Sequence, residues 1–434
     1  MLRTIDLRNH TTDLASALPR ADFSVDSAIP AVTAICDAVK ARGAEAITEL
    51  SLQFDHVAPP ALRVPDDAIA AAVDALDPAV RVAIELAITR RRQVCELTEM
   101  EPASRVTELA PGARVETRVV PVSRVGLYVP GGLAPLASSV VHNAVPAIVA
   151  GVGGVAVASS PRAEHGGLPH PVILAACGLL GISEVYAVGG AQAIAMFAYG
   201  VPGLCQPVDL VTGPGNIYVV AAKRHLQGVV GIDSEAGPTE IGILADDTAD
   251  PRYVAADLVS QAEHDPLAAA VLITDSPQLA DRVRDEVGRQ VAGHELRERL
   301  QTSLSGQQSA VVLVSDLEQG LAVANAYGAE HLEVITADAA AVAQRVHNAG
   351  AIFVGPYSPV PLGDYVAGST HVLPTGGTSR FASGLTVRAF TKQVHVIDYD
   401  APALEQVADD VISFALAEHL PGHAQAIEVR GDTP

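Results

Sequence analysis

The sequence predicts an α/β protein with two parallel-sheet units, a helical N-terminal region ahead of them and a helical tail behind. Three observations carry this. From residue 125 onward, short β-branched runs alternate with longer Ala-rich segments of helical period. The runs are continuously apolar rather than alternating, the pattern of strands covered on both faces. Apolar residues make up 49% of the 434-residue chain but aromatics only 4%, so the cores are built from Ala, Val, Leu and Ile. At roughly 150 residues per domain the length fits two or three domains.

Residues 1–23 read as a short arm of weak pattern. From 24 to 100 apolar residues recur at helical steps, and "DPAVRVAIELAI" opens with Asp77 as N-cap and Pro78 at the first helical position. "RVTELAPGARVETRVVPV" (105–122) predicts a hairpin around Pro111-Gly112. The first set of strands is 125–129, 154–160, 184–189, 208–213 and 228–233. The second is 240–246, 269–275, 310–316, 332–338 and 351–355. Five and five predict two similar units. The tail, 386–434, reads mostly as one amphipathic helix, with so little core of its own that it should dock on something else, such as a neighbouring subunit.

A net charge of −22 argues against nucleic acid or anionic membrane as a general partner, since both would repel it. The cysteines Cys36, Cys95, Cys177 and Cys205 form no C-x-x-C pair, and three lie in apolar helical patterns. They read as buried, reduced thiols of a cytoplasmic protein. "MLRTIDLRNH" lacks the apolar region of a secretion signal. The most apolar stretch, 138–160, is broken by His142, Asn143, Pro146 and glycines, and reads as helix–turn–strand rather than a membrane span.

"GVGGVA" (151–156) fits a dinucleotide fingerprint formally but precedes a strand, so it reads as a helix-to-strand turn. "YVPGG" (128–132), "VGGAQAI" (188–194) and "TGPGNIYVVAAKRH" (212–225) each follow a strand and open a helix. In open α/β sheets the ligand crevice lies at that edge, and helix N-termini attract phosphate there. Each loop alone is ordinary turn chemistry; three together favour a dinucleotide. "GAEHLE" puts Glu330 beside His331 just before a strand, a sensible acid–base pair near neutral pH. "PLGDYVAGSTHVLPTGG" (361–377) carries Asp364 and His371 in a long Gly/Pro-rich loop, and "AEHLPGHA" carries Glu418, His419 and His423. "LVSQAEHDP" (258–266) places Gln261 and His264 on one helical face. Gln261, His264, Asp364 and His423 make a mixed N/O donor set that could take zinc, without any compact motif such as H-E-x-x-H. A solvated helix end explains the "QAEH" stretch equally well from spacing alone.

In "YVPGG", "SSVVHNAVPAIVAGV", "VGGAQAIA", "VTGPGNIYV", "AGPTE", "SQAEHDP", "AEHLE", "GDYVAGSTHVLPTGGTSRFASGL" and "AEHLPGH", taken in order, the chain resembles the histidinol dehydrogenase family over nearly its full length. The resemblance implies a homodimer of two incomplete Rossmann-like parallel-sheet domains. Residues 128–240 would bind NAD. Residues 24–127 with 241–385 would carry zinc and catalytic groups, and 386–434 would reach the partner subunit. It implies oxidation of L-histidinol to L-histidine through the aldehyde with two NAD⁺, the last step of histidine biosynthesis. One Zn²⁺ per site would be held by Gln261, His264, Asp364 and His423. Glu330 would activate water and His331 act as general base. Thr239, His371 and Glu418 would contact substrate along with the zinc ligands and the catalytic pair. Tyr128, Gln192 and Asn216 would contact NAD. Two positions depart from the family's usual pattern: Thr239 stands for Ser, keeping the hydroxyl, and Ala329 for the Pro before Glu330. A zinc hydrolase, which needs no glycine loops, and a nucleotide-sensing dimer, which needs no acid–base pair, are the competing readings.

Overall fold

The computed structural model describes residues 1–9, 14–21, 24–132 and 134–431; parts of the arm and the last three residues of the tail lie outside these. The chain divides into two compact units, Met1–Glu99 with Ser123–Phe390 and Met100–Val122 with Thr391–Pro434.

The first unit begins with strand β1 (Arg3–Asp6) and helix α1 (Leu14–Ala17). Helices α2 (Ile29–Arg42), α3 (Ala44–Phe54), α4 (Asp66–Asp74) and α5 (Pro78–Val94) follow. The Asp77 carboxylate accepts the N–H groups of Ala79 and Val80 and so starts α5, as its sequence predicts. The hairpin β2 (Ser104–Ala110) and β3 (Ala113–Pro121) belongs to the second unit.

Next comes β4 (Arg124–Tyr128), α6 (Ala137–Ala150), β5 (Gly154–Ser159), α7 (Pro171–Leu179), β6 (Val185–Ala187), α8 (Gly190–Tyr199), β7 (Leu210–Thr212), α9 (Ile217–Leu226) and β8 (Gly231–Ile232). The five strands form one parallel sheet in the order β6-β5-β4-β7-β8. Gly151 ends α6 in the left-handed conformation and Gly154 starts β5, so "GVGGVA" is the turn its context predicts.

The second series is β9 (Glu240–Ala245), α10 (Pro251–Ala262), β10 (Ala269–Thr274), α11 (Pro277–Ala292), α12 (Arg297–Ser305), β11 (Ala310–Leu313), α13 (Leu317–Tyr327), β12 (His331–Ile335), α14 (Ala339–Ala343), β13 (Ala351–Val354) and α15 (Val360–Tyr365). Its sheet runs β1-β11-β10-β9-β12-β13, again all parallel. Without β1, both sheets place their own strands in the order 3-2-1-4-5. The two parallel sheets therefore share a topology. β1 is the addition: the arm supplies an edge strand. Both faces of this sheet are covered. Ala270 and Leu272 of β10 join the core under α10 and α11, while Val271 and Ile273 join the core under α13. That is why the strands are apolar along most of their length rather than alternating.

In the second unit, β14 (Thr391–Tyr399) pairs antiparallel with β3 along its whole length, giving the sheet β14-β3-β2. Helices α16 (Ala401–Ala417) and α17 (Pro421–Gly431) close the chain. The tail thus opens on a strand and its helix is broken, with His419 at φ +58 ahead of Pro421. Among the described residues no helix is long and apolar enough to cross a membrane.

Candidate active site

Two neighbouring strands, β9 and β12, bring the first groups together at their amino ends. Thr239 immediately precedes β9; Glu330 precedes β12 and His331 begins it. Glu330 Oε2 accepts from the Thr239 hydroxyl at 2.5 Å and from the Glu240 backbone N–H at 3.0 Å. Helix α10 ends against this pair, and its Gln261 Nε2 donates to Thr239 Oγ1 at 2.6 Å. The threonine hydroxyl therefore links the amide to the carboxylate, a role the extra methyl leaves intact. The same bond orients the amide, so Gln261 Oε1 is buried without a partner among the described residues.

His264 lies just past the end of α10. Its Nδ1 faces the carbonyls of Ser260 and Gln261 at 3.1 and 3.3 Å, which places the proton on Nδ1 and leaves Nε2 for a ligand. The charges beside it are otherwise engaged: Asp265 accepts from the Leu267 N–H, and the Glu263 carboxylate lies 3.9 Å from His294.

His331 is buried, with Nδ1 3.7 Å from Glu330 Oε2 and neither ring nitrogen in a hydrogen bond of ordinary geometry. Burial, reinforced by the imidazoles of His264 and His371, pulls it down to about 3, so it is neutral across the physiological range. Burial pushes Glu330 up to about 8, against the pull of its two donors. Adjacent groups with opposite shifts are the usual mark of acid–base chemistry.

Asp364 comes from the short helix α15, so the Gly/Pro-rich segment is less irregular than its sequence predicts. Burial raises Asp364 to about 6, partly offset by His264. His371 stands 3.9 Å from Asp364 and is fixed by α6. Ser139 Oγ lies 3.1 Å from its Nε2, its backbone N–H donates to His142 Nδ1 at 3.1 Å, and the His142 ring stacks on it at 4.2 Å. The rest of the segment is stapled down: Thr375 accepts from the Gly237 N–H, and Gly376 donates to Glu240, which also pairs with Arg20 of the arm. Ser139, His142, Arg20 and Glu240 are not among the residues that the sequence marks for this site. An imidazole inside the otherwise apolar α6 was the available signal.

The three glycine loops all lie at the carboxyl edge of the five-stranded sheet, and β4 and β7 mark its reversal of strand order. Tyr128 is buried and its hydroxyl accepts from the Gly190 N–H at 3.2 Å. Gln192 is buried one turn into α8, and Asn216 caps α9 through the N–H groups of Tyr218 and Val219. Gly213 sits at φ +114, where a Cβ would lie 2.0 Å from the Tyr128 carbonyl oxygen. Its N–H donates to Asp233 and its carbonyl accepts from Lys223, and these two form a buried ion pair. Gly213→Ala adds a left-handed conformation worth about 1–2 kcal/mol to that clash. It is expected to lower the melting temperature by several degrees and to weaken nucleotide binding, as read by thermal denaturation and by titration with NAD⁺.

Glu418 and His423 belong to the second unit, where both are exposed. Among the described residues no three His, Cys, Asp or Glu side chains converge as a metal site. All four cysteines are buried and free, and burial pushes Cys36, Cys95 and Cys177 up to about 12. None is poised as a nucleophile.

The sequence model of histidinol dehydrogenase matches residues 18–431. The chain belongs to the histidinol dehydrogenase family. The histidinol dehydrogenase of Cutibacterium acnes is 64% identical over 99% of both chains, and that of Thermobifida fusca 58% identical over 99% of this chain and 98% of its own. The crystal structure of histidinol dehydrogenase from Elizabethkingia anophelis superposes with a TM-score of 0.92, at 28% identity, over 99% of this chain and 98% of the other. Membership makes the chain a dehydrogenase and sets aside both the zinc hydrolase and the nucleotide sensor.

Proposed function

We propose that the chain oxidises L-histidinol to L-histidine through L-histidinaldehyde, using two NAD⁺ in succession and one Zn²⁺ per site, as the last step of cytoplasmic histidine biosynthesis. The observation that carries this is the Gln261–Thr239–Glu330 relay. It leaves the buried amide oxygen of Gln261 without a partner among the described residues, beside a carboxyl group that burial raises above the ordinary range. Gln261 Oε1, His264 Nε2 and the Asp364 carboxylate suit zinc chemically, with His423 of a partner subunit as the fourth donor. The metal's contribution, when bound, is a fixed anchor for the amine and imidazole nitrogens of the substrate.

The remaining chemistry belongs to the side chains. His331, neutral and unengaged, takes the hydroxyl proton as the first hydride leaves for a nicotinamide held by the Tyr128, Gln192 and Asn216 loops. The aldehyde then needs water, since no thiol is available to form a thiohemiacetal. Glu330 takes a proton from that water as its oxygen bonds to the carbonyl carbon and returns the proton to the carbonyl oxygen; the hydrate then gives its hydride to the second NAD⁺ and a hydroxyl proton to His331, which has by then released the first to solvent. His371, kept neutral by burial, and Glu418 bind substrate. The functional protein is a homodimer, consistent with the exposure of Ile397, Phe414 and Leu416 in the second unit.

NADH formed per L-histidinol consumed, measured at 340 nm with and without a chelator, tests the proposal. Two per substrate, abolished by chelation and restored by Zn²⁺, is the expected result. One NADH per substrate, or activity indifferent to chelation, overturns it.

A further inference from the structure

Glu333 follows His331 on β12 with only one residue between, so both side chains leave the strand on the same face. It is 1% exposed, in a strand buried at every position. One carboxyl oxygen, Oε1, accepts the backbone N–H of Val360 at 3.0 Å. Val360 is the first residue of α15, one turn ahead of Asp364. The other oxygen, Oε2, receives no N–H among the described residues. The Glu333 carboxyl group shares a side-chain interaction with that of Asp257, which is also buried. Asp257 lies on α10, one turn ahead of Gln261 and on the same helical face.

We propose that the Asp257–Glu333 carboxyl pair is a positioning device that holds α10, β12 and α15 in register, and with them the proposed zinc ligands Gln261, His264 and Asp364 and the acid–base pair Glu330–His331. This rests on the functional reading above. Two carboxyl groups can hydrogen-bond to each other only with a proton between them. Burial holds both groups above the ordinary carboxylate range, Glu333 furthest with Asp257 beside it, so the pair keeps a proton. The resulting O–H···O⁻ bond ties β12 to α10, while Oε1 ties β12 to α15.

A buried charged pair is a poor way to gain stability, and apolar residues of similar volume serve as well or better. What the pair adds is direction: three backbone segments from distant parts of the chain meet at one group. Glu333 lies three residues after Glu330 but takes no part in the hydrogen bonds that join Gln261, Thr239 and Glu330. Its oxygens are consumed by Val360 and Asp257.

The test compares Glu333→Gln, Glu333→Leu and Asp257→Ala. Each purified variant is measured for zinc affinity by chelator competition, for melting temperature after metal removal, and for kcat and KM. Glutamine can donate to Asp257 and accept from Val360, so Glu333→Gln should stay within about threefold of the parent in every measurement. Glu333→Leu should lose at least tenfold in zinc affinity and in kcat, with the KM for NAD⁺ unchanged because the glycine loops lie on the other sheet. Asp257→Ala should show the same signature more weakly, and it decides the matter by the same criterion if Glu333→Leu does not fold. Parental zinc affinity in a folded Glu333→Leu or Asp257→Ala overturns the proposal. So does a Glu333→Gln protein that binds zinc normally but is inactive, which would make Glu333 a chemical participant. A parent protein that neither binds zinc nor oxidises L-histidinol overturns the functional reading instead.

Discussion

Glu330→Gln is expected to slow overall formation of L-histidine by roughly 10²–10⁴-fold, the usual worth of a positioned base, while largely sparing the first hydride transfer. The substitution is close to isosteric. A glutamine oxygen can still accept from the Thr239 hydroxyl and the Glu240 N–H that hold Glu330 Oε2, so the geometry survives and only the proton acceptor is lost. Single-turnover NADH formation from L-histidinol and from L-histidinaldehyde separates the two steps. Equal loss in both would remove water activation as the role of Glu330.

The pH dependence follows with a definite sign. Burial raises Glu330 to about 8; below that pH the group holds its proton and cannot take another from water. Aldehyde oxidation should therefore rise as pH increases toward 8 and level off above it, and Glu330→Gln should lack that limb. The same shift affects stability. The folded-state value lies above the ordinary one, so the stability this group contributes is complete below the ordinary carboxylate range and is lost as pH rises through about 8. Metal-free Glu330→Gln should accordingly melt higher than the metal-free parent at alkaline pH, and the gap should close in acid.

Ten of the eleven strands of the two parallel sheets are legible in the sequence because a strand covered on both faces is apolar along most of its length, as Val271 and Leu272 on opposite faces of β10 illustrate. Strand β1 is not, because a four-residue edge strand with three exposed residues and one half-buried, Ile5, carries no periodic signal. Strand β14 escapes for another reason: it is defined by pairing Thr391 with Pro121 and Tyr399 with Ala113, partners too distant for any local pattern to reveal. At the site, spacing alone reached only the adjacency of Glu330 with His331 and of Gln261 with His264. The hydroxyl relay through Thr239 depends on two strand ends and a helix end that tertiary structure brings together. Asp257 and Glu333 left a fainter mark. Each is a carboxyl residue inside an otherwise apolar run, "AADLVS" and "HLEVI", and an unexplained charge in a buried pattern is the sign of a partner elsewhere.

Mixing two inactive proteins, His264→Ala and His423→Ala, and re-associating their subunits is expected to restore about a quarter of the parental activity. Half of randomly paired dimers are mixed, and each mixed dimer regains one of its two sites if ligands come from both chains. His264 is exposed at the end of α10 in the first unit, and His423 is exposed near the start of α17 in the second. Each is open to a group from another chain. The second unit also leaves Ile397 73% and Phe414 69% exposed, an apolar surface that a partner subunit would cover. If both ligands came from one chain, every site in a mixed dimer would lack one of them, and activity would stay at the level of the separate variants. Verified mixed dimers without recovery would therefore place His264 and His423 in the same chain's site, and would require the tail to complete the site of its own subunit.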